Sequence, residues 1–228
     1  MPVPAKRLFL TLLLGSMLGG CAEFSAWDPM RRKEWAADER LGLTSYQRLE
    51  ELRAVRRDAK KYTPEQREQL TRQLVHLLDT ESNALLREAA VRTLGVMKTQ
   101  RSFEALEKAA GDSDADVRVI ACQALGDRGD DQAVAVLARL VGSDTDIDVR
   151  LAATRELARF RQPAAREALA LALDDADPAL RYRAVQSLKE TSPVDYQNDI
   201  AAWREYAKGG TPPPASTPTM AQRIKDWF

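Results

Sequence analysis

Histidine is almost absent from this chain: His76 is the only one in 228 residues. A single imidazole does not make a histidine-rich metal site, a serine–histidine–aspartate triad or a proton shuttle. Cysteine is nearly as scarce, with Cys21 and Cys122 alone. That excludes a disulfide framework and any Cys-x-x-Cys motif. No glycine-rich phosphate loop appears. An excess of one charge is missing too. Lys and Arg number 34 and Asp and Glu number 34, so no net field steers the chain toward nucleic acid. Acid groups such as Asp112/Asp114 and Asp144/Asp146/Asp148 lack the spacing and the closing Glu of a calcium loop. No catalytic set, metal set or cofactor set is legible.

What is present is a repeat. Asp114 to Gly126 reads Asp-Ala-Asp-Val-Arg-Val-Ile-Ala-Cys-Gln-Ala-Leu-Gly, and the same frame recurs from Asn83, Asp146 and Asp177. The arginines Arg87, Arg118, Arg150 and Arg181 are spaced 31, 32 and 31. A fixed period of that size is the signature of a stacked repeat. Asn83, Asp114, Asp146 and Asp177 each stand where a helix N-cap accepts orphan backbone N–H groups. Apolar residues follow four apart, as in Val117, Ala121 and Leu125, which makes one buried helical stripe. Each Arg lies four residues after its cap. The expectation is a structural ladder in which caps and arginines meet along one side of the stack.

A turn and a second helix follow each ladder helix. Its anchors recur as Leu106, Leu137 and Leu169, and as Ala109, Leu140 and Ala172. Gly126, Gly129 and Asp130 mark the turn in the second copy and Pro163 in the third. The fold predicted is all-α: a right-handed α-solenoid of stacked helix–turn–helix units with capping units at both ends.

The motif D-x-D-x-x-V-R-x-x-A-x-x-A-L-G, clearest in 112–126 and 144–158, resembles the HEAT-like repeats of the bilin-lyase type. The resemblance covers residues 63 to 207. It implies the solenoid fold and little about function, because such repeats serve unrelated systems. The His-Glu pairs of di-iron HEAT-repeat hydroxylases have no counterpart here.

Residues 1–20 read as a signal peptide. Lys6 and Arg7 precede the apolar run from Leu8 to Leu14, and Leu18-Gly19-Gly20-Cys21 closes it. That ending resembles the bacterial lipobox, which implies lipid attachment at Cys21. Ala22 in place of Asp implies the outer membrane rather than the inner. Residues 21–43 read as a lipid-proximal tether carrying Trp27, Arg31-Arg32-Lys33 and Trp35.

The solenoid is assigned to 44–207: a capping unit at 44–80 and repeats at 81–111, 112–142, 143–174 and 175–207. In the capping unit, residues 45–60 form an amphipathic helix with Leu49 and Leu52 inward. Its basic run from Arg53 to Lys61 reads as a solvated face. Thr63-Pro64-Glu65-Gln66 opens the next helix with a capping box, and Leu70, Leu74 and Leu77 are its anchors. At the far end, Asp195 to Arg204 reads as a terminal helix carrying Ile200 and Trp203. Residues 208–218 are a Pro-rich linker, and 219–228 a short amphipathic helix with Met220, Ile224, Trp227 and Phe228 on one face.

Cys122 reads as a small packed residue. The second helices expose Ala135, Ala138, Ala170 and Leu171, a small apolar strip that accepts a helix. The C-terminal stripe is its candidate occupant, or else a ligand for another protein or a membrane. Three functions are compatible with these residues. The first is a membrane-anchored, non-enzymatic scaffold or adaptor in the cell envelope, with an unknown protein partner, no cofactor and no nucleic acid. The alternatives are a bilin-lyase-related enzyme or chaperone, which the repeat type implies, and a nucleic-acid-binding solenoid. The scaffold is the expectation.

Overall fold

Asn83, Asp114, Asp146 and Asp177 cap four helices. Their side chains accept the backbone N–H of Leu85 (3.0 Å), Asp116 (2.9 Å), Asp148 (2.9 Å) and Ala179 (2.7 Å). The computed structural model describes residues 43–213, and among them every regular element is helical. The order is α1 (Ser45–Arg57), a 3-10 turn (Ala59–Lys61), α2 (Pro64–Thr80), α3 (Ala84–Met97), α4 (Gln100–Ala109), α5 (Ala115–Arg128), α6 (Ala133–Ser143), α7 (Ile147–Leu157), α8 (Pro163–Leu173), α9 (Pro178–Thr191) and α10 (Ile200–Ala207). None of these is long and apolar enough to cross a membrane.

Helices α3, α5, α7 and α9 carry the repeat motif. The four-apart stripe buries fully in each: Leu86, Ala90 and Leu94; Val117, Ala121 and Leu125; Val149, Ala153 and Leu157; Leu180, Ala184 and Leu188. Burying a Leu or Val side chain contributes about 1.5–3 kcal/mol, so this stripe is the main support of the stack. The second-helix anchors Leu106, Leu137 and Leu169 are equally buried. The chain is an α-solenoid. Successive ladder helices pack against one another throughout, while the second helices do so unevenly: α6 and α8 pack closely and α4 and α6 barely meet. Small residues allow the close approach of α3 and α5. A Cβ on Gly95 of α3 would lie 3.0 Å from the Cβ of Ala124 on α5.

Three expectations are corrected. Gly126 does not belong to the turn. Helix α5 runs on to Arg128, and Gly129, at φ +69°, ends it in the left-handed conformation that suits glycine. Gly126 sits inside the helix because Glu156 of α7 fills the space where a side chain would go. In α2 the buried set is Thr71, Leu74 and Leu78, with Leu70 and Leu77 half-buried. The helix is rotated so that the Thr71 hydroxyl meets that of Thr99 at 3.4 Å. The terminal helix starts at Ile200, not Asp195. Asp199 is its cap and accepts the Ala202 N–H at 3.0 Å. The preceding turn puts Tyr196 edge-on against the buried Trp203, with ring centroids 4.9 Å apart, and the Trp203 indole donates to the Gln197 carbonyl.

Candidate functional site

The ladder exists, but the caps do not meet the arginines. In the second, third and fourth repeats the Asp two residues before the cap takes the Arg of the preceding repeat. Arg87 donates to Asp112 through Nε (2.9 Å) and Nη2 (2.8 Å), and Arg118 to Asp144 at 2.9 Å from each nitrogen. Arg150 pairs with Asp175. The same Asp side chains accept the N–H of the cap residue, as Asp112 does from Asp114 at 2.9 Å. Asp114, Asp146 and Asp177 are therefore occupied by their own helices, and Asn83 likewise. Arg181 donates to the carbonyls of Asp175 and Ala176 within its own repeat. The first repeat has Glu81 at the ladder position, and Arg48 of α1 pairs with it. The capping helix thus extends the ladder by one rung. The signal was in the sequence, because an acid precedes every cap by two residues: Glu81, Asp112, Asp144 and Asp175.

These pairs shift the carboxyls. Burial pushes Asp112 and Asp144 up, yet the arginine hydrogen bonds, the cap N–H and the guanidinium charge outweigh it and hold both below the usual range. Asp175 is lowered first by the Asp177 N–H and then by Arg150. In these three rungs each guanidinium has its counter-charge and its hydrogen bonds, and each pair ties one repeat to the next.

What the stack presents outward is more informative. Residues Glu88, Val119, Leu151 and Tyr182 occupy one frame position on successive ladder helices. Val119 and Leu151 are half-buried and Tyr182 is 64% exposed. Leu85 (59% exposed) and Val96 add apolar surface on α3. Between α1 and α3 lies a groove of about 450 Å³. Leu49, Leu85 and Ala89 form its apolar part, and Arg53, Arg56 and Arg92 stand around it with Glu88. The basic run of α1, expected to be a solvated face, thus supplies two arginines to a concavity. Only the fold reveals this, because Arg92 lies 36 residues from Arg56 in the sequence.

The second-helix strip is less continuous than expected. Ala135 and Leu171 are exposed, but Ala138 is half-buried and Ala170 is buried. Helix α8 packs against α6, α9 and α10, which turns Ala170 inward. Met220, Ile224, Trp227, Phe228 and the lipidation candidate Cys21 lie outside the described residues. His76 is exposed on α2. Cys122 is fully buried in α5. Burial first, then the nearby carboxylates of Glu156 and Asp144, push its thiol up to about 12, so no thiolate nucleophile exists there at neutral pH.

The sequence matches the HEAT_2 family, described as HEAT repeats, over residues 71–154 and again over 142–208. A search among curated proteins finds no match. Among solved structures, the chain is similar to the complex of CpcE and CpcF of phycocyanin lyase from Nostoc sp. PCC7120. The identity is 20%, covering 68% of this chain and 94% of that one, with a TM-score of 0.45. The expectation that the chain is no enzyme is withdrawn: the solved structure it resembles is that of a lyase, and the resemblance speaks to the fold alone. Two family matches that together span 71–208 establish the kinship of the fold: this chain belongs to the HEAT-repeat family.

Proposed function

We propose that this chain is a lipid-anchored repeat module that holds a protein partner on the exposed side of its ladder helices. One observation carries the reading. Along α2 to α10, the large exposed apolar side chains are Leu85, Val96 and Tyr182 on ladder helices, against Leu171 alone on a second helix. Exposed apolar side chains grouped on one face mark an interaction surface, and a stack held in register by ion pairs presents them rigidly. The lipobox-like Leu18-Gly19-Gly20-Cys21 supports the anchor, and acyl chains at about 0.8 kcal/mol per buried CH₂ would retain the chain on a membrane. Site-specific photocrosslinking in native membranes tests the surface. Probes at Val119 and Tyr182 are expected to capture the same protein, and a probe at His76 is not. Equal capture from all three positions, or capture from His76 alone, overturns the reading. The anchor is tested separately: Cys21→Ser is expected to leave uncut precursor without fatty-acid label, and equal acylation of the variant refutes it.

A bilin-lyase-related role is the second reading. Co-expression with a bilin and its acceptor protein tests it, and pigment attachment that depends on this chain would establish it.

A further inference from the structure

The groove between α1 and α3 has a composition that specifies an occupant. Its apolar part is small: Leu49 is half-buried, Leu85 is mostly exposed and Ala89 is half-buried. Helix α1 is thinly held there. Leu52 is its only buried residue, and the Leu52 carbonyl accepts the Thr93 hydroxyl at 3.3 Å. Leu49 and Leu85 therefore do not close over each other, and an open trough is left.

Charge complementarity decides the partner. Three arginines and one glutamate line the trough. Arg53 has a carboxylate neighbour on its own helix, Glu50 at 2.6 Å. Arg92 meets Glu88 only at 3.9 Å and the Gln123 carbonyl at 3.4 Å. Arg56 makes no ion pair among the described residues. All three are exposed, and Arg56 sits in the last turn of α1, where a cation is favoured by the helix dipole. Guanidinium groups suit carboxylates, which they bind through two parallel hydrogen bonds. A trough with an apolar floor and such a rim fits a helix whose apolar ridge is flanked by acids.

We propose that this trough docks an acidic amphipathic helix of a partner protein, with apolar side chains on Leu49, Leu85 and Ala89 and carboxylates on Arg53, Arg56 and Arg92. The proposal rests on the reading of the ladder side as the partner surface, and it names the chemistry of that partner. A basic helix is excluded by the rim, and a purely polar one gains nothing from Leu85.

The test uses the detergent-solubilised full chain and three fluorescent 16-residue helical peptides, read by anisotropy. One carries a leucine ridge flanked by glutamates, one replaces the glutamates with lysines, and one replaces the leucines with serines. The Glu/Leu peptide is expected to bind at least tenfold more tightly than either control. Arg56→Glu and Arg92→Glu are each expected to weaken it severalfold, and Leu85→Ser likewise, with unchanged thermal melts. The double charge reversal should then favour the lysine peptide. Equal binding of glutamate and lysine peptides overturns the proposal. So does peptide binding that appears only after residues 22–42 are deleted, which would assign the trough to the chain's own segment. Loss of phosphatidylglycerol-vesicle binding in the same variants, without any peptide preference, would assign it to a membrane and also overturn it. If no peptide binds while probes at Val119 and Tyr182 still capture a protein, the trough assignment fails and the wider partner surface stands.

Discussion

Arg118 grips Asp144 across a repeat boundary with two parallel hydrogen bonds, Nε to Oδ2 and Nη2 to Oδ1, both 2.9 Å long. The side chains are 13% and 6% exposed. A pair so shielded is costly to break on one side, because the surviving charge stays behind without its partner. Asp144→Ala is expected to destabilise the stack by about 3 kcal/mol. Asp114→Ala removes only a helix cap and is expected to cost about 1 kcal/mol. Urea unfolding of both variants checks the order. An Asp114 variant weaker than the Asp144 variant would mean that the cap residues are the ladder after all.

Acid should unfasten the same rungs. Asp112, Asp144 and Asp175 have carboxyls held below their ordinary value. Such groups add stability that is complete above their unfolded pKa of about 3.9 and is lost as pH falls through the depressed folded values. Glu51 and Glu88 act in the opposite sense, since burial raises both despite the lowering effect of Arg48 and Arg92 respectively. Comparing the chain with its Asp144→Asn variant cancels those glutamates. The difference in melting temperature is expected to stay constant from pH 7 to about pH 5 and to shrink below about pH 4. A constant difference down to pH 2 would contradict the ladder assignment of Asp144.

Glycine substitutions should diverge in sign. At Gly126 an added Cβ would lie 3.0 Å from Cβ and Cδ of Glu156, which is itself buried and held by Arg155 and Arg159. Gly126→Ala is expected to cost about 1–2 kcal/mol through overpacking. Gly142, in the last turn of α6, has nothing within 4 Å of such a Cβ. Gly142→Ala is expected to stabilise by about 0.5–1 kcal/mol, since alanine loses less entropy in a helix. Thermal melts that shift the same way in both variants would refute the close approach of α5 and α7.

Cys122 should be inert while the chain is folded. Its thiol is buried and pushed up to about 12, so a thiol reagent at pH 8 finds neither access nor thiolate. In a Cys21→Ser background, labelling is expected only after guanidinium is added. Fast labelling of the native chain would show that α5 opens on the timescale of the reaction.

The sequence by itself determined the repeat and most of its core. The capping residues and the stripes such as Val117, Ala121 and Leu125 are local patterns, each dictated by helix geometry within a dozen or so residues, and their recurrence from Arg87 to Arg181 is the repeat. The tertiary structure decided which carboxylate each arginine meets. Arg87 and Asp112 are 25 residues apart and Arg118 and Asp144 are 26 apart, so the pairing depends on how one repeat is rotated against the next. It also decided that Gly126 is a contact rather than a turn, because Glu156 arrives from another helix. The trough has the same origin. Leu49 reads as an inward position and Arg53 and Arg56 as a solvated face of a charged terminal helix, and they line one concavity only because α3 brings Leu85, Ala89 and Arg92 to their side. Periodicity reports which face of a helix is buried, but the position of the neighbour that covers it is a property of the packed stack.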